Sequence, residues 1–355
     1  MTTTMRQTLL TAVAILATAL STQAQEVKNI IYLIGDGMGL TSVSMMLIEN
    51  NYEPTIFDKA DNIALQKSYS LDNRVTDSAA SGTALATGHK TNNTVLGQLP
   101  DGTAVESLME VASAKGKATG LVVTTIIQHA TPGAFYAHVP SRNEYTTISE
   151  QLLASDIDIA IGGGMAPFEE RYGNRDNALE AIAESGFTLK ESLETETTGE
   201  RVLALLAPYE IENRTGYLAK ATAEAIDHLD DCEDGFVLMV EGSIIDGMGH
   251  ANDANGQQNE MRDFMGAIEV AVEYAEAHPD TLVVVTADHG TGGLTIISGN
   301  ADFTLSEQGV EYHWATKGHS GELLPIYLYG AGAELINGIM ENADLGQRLK
   351  DIIAQ

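Results

Sequence analysis

Two short stretches of this chain pair a carboxylate with an imidazole, and a third adds another imidazole. Asp246 and His250 stand four apart, Asp288 and His289 are adjacent, and His319 lies in Gly318-His319-Ser320. Mixed oxygen and nitrogen donors of this kind suit zinc, whereas Asp36, Thr131 and Glu241 form an oxygen-rich set better matched to magnesium. The chain has only nine histidines, so finding four of them in such clusters, His129 included, is informative.

Two further residues could act on a substrate. Ser78, in Thr76-Asp77-Ser78-Ala79-Ala80-Ser81-Gly82, is predicted to open a helix of small residues. An ordinary N-cap would account for such a serine in isolation. Free N–H groups at a helix start also favour an anion, and metal coordination turns a serine hydroxyl into a competent nucleophile. Arg142, in Pro140-Ser141-Arg142-Asn143, is one of few bases and a candidate bidentate clamp for phosphate.

The elements that must position these residues are short Ile/Val-rich runs alternating with helical patterns. Strands are predicted over 29–34, 120–124, 157–161, 236–240, 282–286 and 325–329, and helices over 40–49, 78–87, 104–115, 218–229, 257–277 and 343–353. Near-continuous apolar strands separated by helices predict an α/β, doubly wound fold, with a mainly parallel central sheet and helices on both faces. Ligands of such sheets bind beyond the carboxyl ends of the strands. Asp36, His129, Glu241 with Asp246 and His250, and Asp288 with His289 each follow a predicted strand, so four strands aim ligating residues at one edge.

Bulk properties narrow the function. Arg6, an apolar run from Leu9 to Leu20 and the Ser21-Thr22-Gln23-Ala24 end read as a signal peptide over 1–24, cut after Ala24. That run is too short for a bilayer, which needs about 20 residues. Export is expected, periplasmic or extracellular, with 25–355 as a single catalytic domain. A formal charge of -31 disfavours nucleic acid as a partner and requires that any site for a phosphate anion be locally positive. Cys232 is the only cysteine and sits among acids, which removes disulfides and thiol chemistry from consideration.

Taken in order, the segments Gly35-Asp36-Gly37-Met38-Gly39, Thr76 to Gly82, His129-Ala130-Thr131-Pro132, Ser141-Arg142, Val240-Glu241-Gly242 through His250, Thr286-Ala287-Asp288-His289 and Gly318-His319-Ser320 resemble the alkaline phosphatases over nearly the whole chain after residue 24. The resemblance implies hydrolysis of phosphate monoesters through a phosphoserine on Ser78. It implies one zinc held by Asp246, His250 and His319, and a second by Asp36, Asp288 and His289. It further implies a magnesium site of Asp36, Thr131 and Glu241 with His129 close by, Arg142 gripping two phosphate oxygens, and a homodimer.

Three departures from the family pattern stand out. His129 replaces an aspartate found in some bacterial members, and Gly247 stands where others have Lys, His or Trp. Only 30 positions separate His289 from His319, so the large insertion some members carry there is short or absent. The Cys/Ser-x-Pro-x-Arg setting of sulfatases is missing around Ser78, and related phosphodiesterases use threonine as nucleophile. A non-catalytic exported metal- or phosphate-binding protein would need the same ligands without the serine.

Overall fold

The computed structural model describes residues 26–195, 198–211, 215–299 and 309–354. The signal-peptide reading of 1–24 lies outside the described residues. The strands are β1 (Asn29–Gly35), β2 (Asn62–Lys67), β3 (Ala118–Ile126), β4 (Ile159–Gly163), β5 (Phe187–Lys190), β6 (Arg201–Leu205), β7 (Phe236–Gly242), β8 (Thr281–Thr286), β9 (Gly290–Thr291), β10 (Leu294–Ser298), β11 (Val310–Trp314), β12 (His319–Ser320), β13 (Leu324–Gly330) and β14 (Gly338–Glu341). The helices are α1 (Leu40–Glu49), α2 (Ser78–Thr87), α3 (Leu108–Ala114), α4 (Ala130–Gly133), α5 (Tyr145–Ala154), α6 (Met165–Tyr172), α7 (Arg175–Glu184), α8 (Tyr217–Leu229), α9 (Ile244–Ala251), α10 (Ala254–Ala277) and α11 (Asn342–Ala354).

Ten strands form one sheet in the order β14-β2-β13-β8-β1-β7-β3-β4-β6-β5. Within it β13 alone runs antiparallel, against both β2 and β8. The central strands are apolar throughout because both faces are covered. In β1, Ile30, Tyr32 and Ile34 pack on one side with α2, α3, α5, α6, α7 and α11, while Ile31 and Leu33 pack on the other with α1, α8 and α10. Long α10 follows the same logic, burying Met261, Phe264, Ile268, Ala271, Val272 and Ala275 along one stripe.

Most predicted elements appear within a few residues of their expected ends. The helix predicted over 104–115 starts only at Leu108, because Ser107 and Glu110 form a capping box that fixes its first turn. Strands β2, β5, β6, β9, β10, β11, β12 and β14 and helices α4, α5, α6, α7 and α9 were not predicted. β2 has the mixed sequence Asn-Ile-Ala-Leu-Gln-Lys, and its buried Gln66 donates to Thr286 Oγ1 at 2.6 Å and to the Ala287 carbonyl at 2.8 Å. That pairing exists only once β2 lies two strands from β8 in the sheet. No described helix is long and apolar enough to cross a membrane.

Candidate active site

Four neighbouring strands, β8-β1-β7-β3, run parallel at the centre of the sheet. Asp36 directly follows β1, and Glu241 is the penultimate residue of β7, with Asp246 and His250 on α9 just beyond. Asp288 and His289 follow β8, and His129 and Thr131 follow β3. His319 arrives on β12, which pairs with β9 opposite Thr291. The one edge expected to gather ligands therefore does so, and every predicted site residue is part of the gathering.

Ser78 is the first residue of α2 and not its cap: Asp77 caps the helix, its Oδ1 accepting from the Ala80 N–H at 3.0 Å. The serine hydroxyl lies 3.0 Å from His289 Nε2. Close packing puts it there. A Cβ on Gly82 would come within 3.3 Å of the Ala134 Cβ and 3.4 Å of the Thr131 Cα, so α2 and α4 approach through that glycine. Gly37, at φ +73, lies so near α9 that a Cβ would meet the Asp246 Cα at 2.8 Å.

Each of the four imidazoles has one nitrogen anchored. His250 Nδ1 is 2.5 Å from the Lys317 carbonyl, and His319 Nδ1 is 2.8 Å from that of Thr76. His289 Nδ1 is 3.1 Å from Thr291 Oγ1, whose own proton goes to Asp246 Oδ1 at 2.5 Å. His129 Nε2 accepts from an Arg142 terminal nitrogen at 3.1 Å. A nitrogen that donates to a carbonyl leaves its partner with a free lone pair, the form in which histidine binds a metal. The inward Nε2 atoms of His250 and His289 lie 3.3 Å from Asp246 and Asp288 respectively.

Three groups have ligand atoms mutually within 4.8 Å: Asp246, His250 and His319; Asp36, His129 and Glu241; and Asp36, Asp288 and His289. Around the last two, both Asp36 oxygens, His129 Nδ1, Thr131 Oγ1, Glu241 Oε1 and Asp288 Oδ2 are buried without a hydrogen-bond partner. Orphaned polar atoms are normally few and dispersed. Of these six at one point, four are carboxylate oxygens, and with Thr131 Oγ1 they make a donor set suited to cations.

The electrostatics agree. Burial, with the neighbouring Asp288, Asp246 and Glu241 charges, pushes Asp36 far above the usual carboxylate range. Burial raises Glu241 to about 8, against the hydrogen bond it accepts from Ser243. Burial raises Asp288 to about 6. Burial lowers His289 to about 4 and His129 to about 3, and Arg142 adds to both effects. Several carboxylates share a dry pocket with neutral imidazoles and one guanidinium. This negative excess needs countercharge.

Arg142 places one terminal nitrogen 3.3 Å from Asp77 Oδ2 and the other on His129. Asp77 and Thr291 were not predicted as site residues. Asp77 was visible in the serine motif but carried no signal of its link to an arginine 65 positions away. Thr291 has no local signature at all. Gly247 has room for a side chain: a Cβ there would meet only Ile244 Cγ2, at 3.6 Å.

With this geometry in view, the sequence profile of the alkaline phosphatase family matches residues 27–312. Alkaline phosphatase 3 of Bacillus subtilis (strain 168) is 33% identical, over 91% of this chain and 88% of that protein. The alkaline phosphatase of the Antarctic bacterium TAB5 superposes with a TM-score of 0.87 at 34% identity, covering 93% of this chain and 99% of that one. A mutant of that enzyme with Mg bound in its M3 site superposes at 0.86, also 34% identical, over 93% of this chain and 99% of that one. The chain belongs to the alkaline phosphatase family. It is a phosphoric monoester hydrolase from a family of metalloenzymes.

Proposed function

We propose that this enzyme hydrolyses phosphate monoesters by two successive displacements at phosphorus, with Ser78 as the first nucleophile. The Ser78 oxygen attacks phosphorus, the alcohol leaves, and a phosphoserine remains. Water then attacks the same phosphorus, releasing inorganic phosphate and restoring the serine. Arg142 holds two non-bridging oxygens through both steps, and the α2 N-terminus offers N–H groups to the anion. The Ser78 hydroxyl lies 3.0 Å from His289 Nε2, which puts the nucleophile beside a nitrogen assigned below to a metal. The observation that carries this reading is the set of six orphaned buried polar atoms beside a serine hydroxyl.

We assign Asp246, His250 and His319 to one zinc, Asp36, Asp288 and His289 to a second, and Asp36, His129, Thr131 and Glu241 to a magnesium ion. Bound there, the metals would lower the pKa of the serine hydroxyl and of the attacking water and neutralise charge on the leaving oxygen. The mature enzyme is a single catalytic domain over 25–355, exported to the periplasm or beyond, and a homodimer. Its partners are small phosphate monoesters, with no nucleic acid bound.

The test is Ser78→Ala. Hydrolysis of p-nitrophenyl phosphate should fall by at least about 1000-fold while zinc and magnesium content stay at wild-type levels. Full activity in this variant would remove Ser78 from the mechanism. Equal metal content in a wild-type protein that hydrolyses no monoester would leave only a binding role.

A further inference from the structure

The segment that delivers Arg142 is fastened by a side chain outside the site. His138 presents Nδ1 to the Gly97 carbonyl at 2.7 Å and Nε2 to Glu110 Oε1 at 3.0 Å. A carbonyl and a carboxylate can only accept. An imidazole between them satisfies both only with a proton on each nitrogen. The contact is built into the turn: Gly97 has φ +60, and a Cβ there would lie 2.2 Å from the Ala137 carbonyl and 2.6 Å from His138 Nδ1.

Both partners are fixed. The other Glu110 oxygen accepts from the Ser107 N–H at 2.7 Å, completing the capping box of α3. The Gly97 N–H donates to Thr83 Oγ1 on α2, the helix that begins at Ser78. From His138 outward, Val139 exchanges both backbone hydrogen bonds with Leu96 at 3.0 Å, and the Arg142 N–H donates to the Thr94 carbonyl at 2.7 Å. Thr94 in turn donates to Asp77 Oδ2, the oxygen that also takes the Arg142 guanidinium. Residues 94–97 and 139–142 thus form a narrow ribbon with His138 at one end and Arg142 at the other.

We propose that His138 is a positioning residue for Arg142: as an imidazolium it closes the ribbon and holds the guanidinium ready for phosphate, and losing one proton at alkaline pH loosens that hold. The inference rests on Arg142 as the phosphate-binding side chain. The charged and titratable groups facing His138 are Glu110 on α3, Tyr136 on its own segment, whose hydroxyl donates to the Ile127 carbonyl, and Asp156 beyond α5, which lines the same cavity of about 330 Å³. Gln98 and Gln151 reach its backbone and are neutral. The Glu110 hydrogen bond raises the imidazole above its ordinary value, burial opposes this, and the Gly97 carbonyl adds to the rise. The two acceptors therefore hold the His138 imidazolium to higher pH than an ordinary imidazole, and where the proton is lost on the alkaline side, looser phosphate means faster product release.

The experiment measures the inhibition constant of inorganic phosphate, with kcat and KM for p-nitrophenyl phosphate, on the metal-loaded enzyme from pH 6.5 to 10. Each variant is compared with wild type at the same pH, so ionisation of phosphate itself cancels. His138→Ala should weaken phosphate binding about fivefold at pH 7 and converge on wild type at pH 10. Glu110→Gln should do the reverse. Its amide can donate to the neutral imidazole Nε2 while Nδ1–H stays on Gly97 and its carbonyl still accepts from Ser107, so phosphate should bind about fivefold tighter than wild type at pH 10. A merely structural role cannot produce that opposite sign. A His138→Ala ratio that does not vary with pH, or a Glu110→Gln enzyme no tighter at pH 10, overturns the proposal. If His138→Ala does not fold, the Glu110→Gln result decides alone, since it opens no cavity. Arg142→Ala separates the two layers: unchanged phosphate inhibition there sinks the Arg142 reading itself, while weakened inhibition there with unaltered His138→Ala sinks only the clasp.

Discussion

Asp77 carries two separable duties, and substitution should split them. Its Oδ1 accepts from the Ala80 N–H at 3.0 Å as the cap of α2. Its Oδ2 accepts from the Thr94 N–H at 3.0 Å and from Arg142 at 3.3 Å. In Asp77→Asn the amide oxygen can keep the cap, but the amide nitrogen then faces two other donors. In Asp77→Ala both duties are lost. The cap is worth about 1 kcal/mol of stability, so only the alanine variant should lose it, with a drop in Tm of about 1–3 °C. The Arg142 contact is a charged hydrogen bond between side chains 17% and 19% exposed. Discounted for that exposure, it is worth about 1–2 kcal/mol, which weakens phosphate binding by about 5- to 30-fold in both variants. Because the same oxygen atoms are held in ground state and product, KM and the phosphate inhibition constant should rise together while kcat is maintained or increases. Steady-state kinetics with product inhibition at one pH, beside thermal melts, makes the comparison. The reasoning is refuted if Asp77→Asn binds phosphate as tightly as wild type while Arg142→Ala does not, or if the asparagine variant loses as much stability as the alanine one.

Gly247→Lys should fold normally, since its Cβ meets nothing closer than Ile244 Cγ2 at 3.6 Å, and should tighten inhibition by inorganic phosphate several-fold by adding a cation near the site; unchanged inhibition would show that the bare glycine is not what sets phosphate retention. Metal removal should make stability more pH-sensitive. Glu241 at about 8 is held above its unfolded value by burial, so the folded metal-free chain binds more protons than the unfolded one, and stability falls as pH rises through about 8. Between pH 7 and 8 His250, held at about 9 by its Asp246 hydrogen bond, and His138, raised by Glu110, also bind more protons folded than unfolded and add to this trend. Thermal melts of chelated protein that stay flat or rise across that window would contradict it.

How far the sequence could be read depended on where the information lay. The β1 run Asn-Ile-Ile-Tyr-Leu-Ile-Gly is buried at every position and was legible, as were α1 and α2 to the residue, because apolar runs and small-residue helices have local signatures. β2 was not, since its role depends on Gln66 reaching Thr286, 220 positions away. The start of α3 was misjudged because the Val105 N–H goes to the Gly97 carbonyl instead of into the helix.

The site divides in the same way. Ligand types and their places after strands are properties of the chain itself, and they determined both the residues and the edge of the sheet where they meet. Only the tertiary structure decided that β8, β1, β7 and β3 are adjacent, so that His289 stands 3.0 Å from a serine 211 positions earlier. It alone decided that Thr291 joins two ligand groups, that Asp77 holds Arg142 and that His138 fastens the ribbon behind it. Such contacts are hydrogen bonds between residues far apart in sequence. They need donor and acceptor within about 3 Å and in line, a condition set by packing of the whole sheet and recorded in no local pattern.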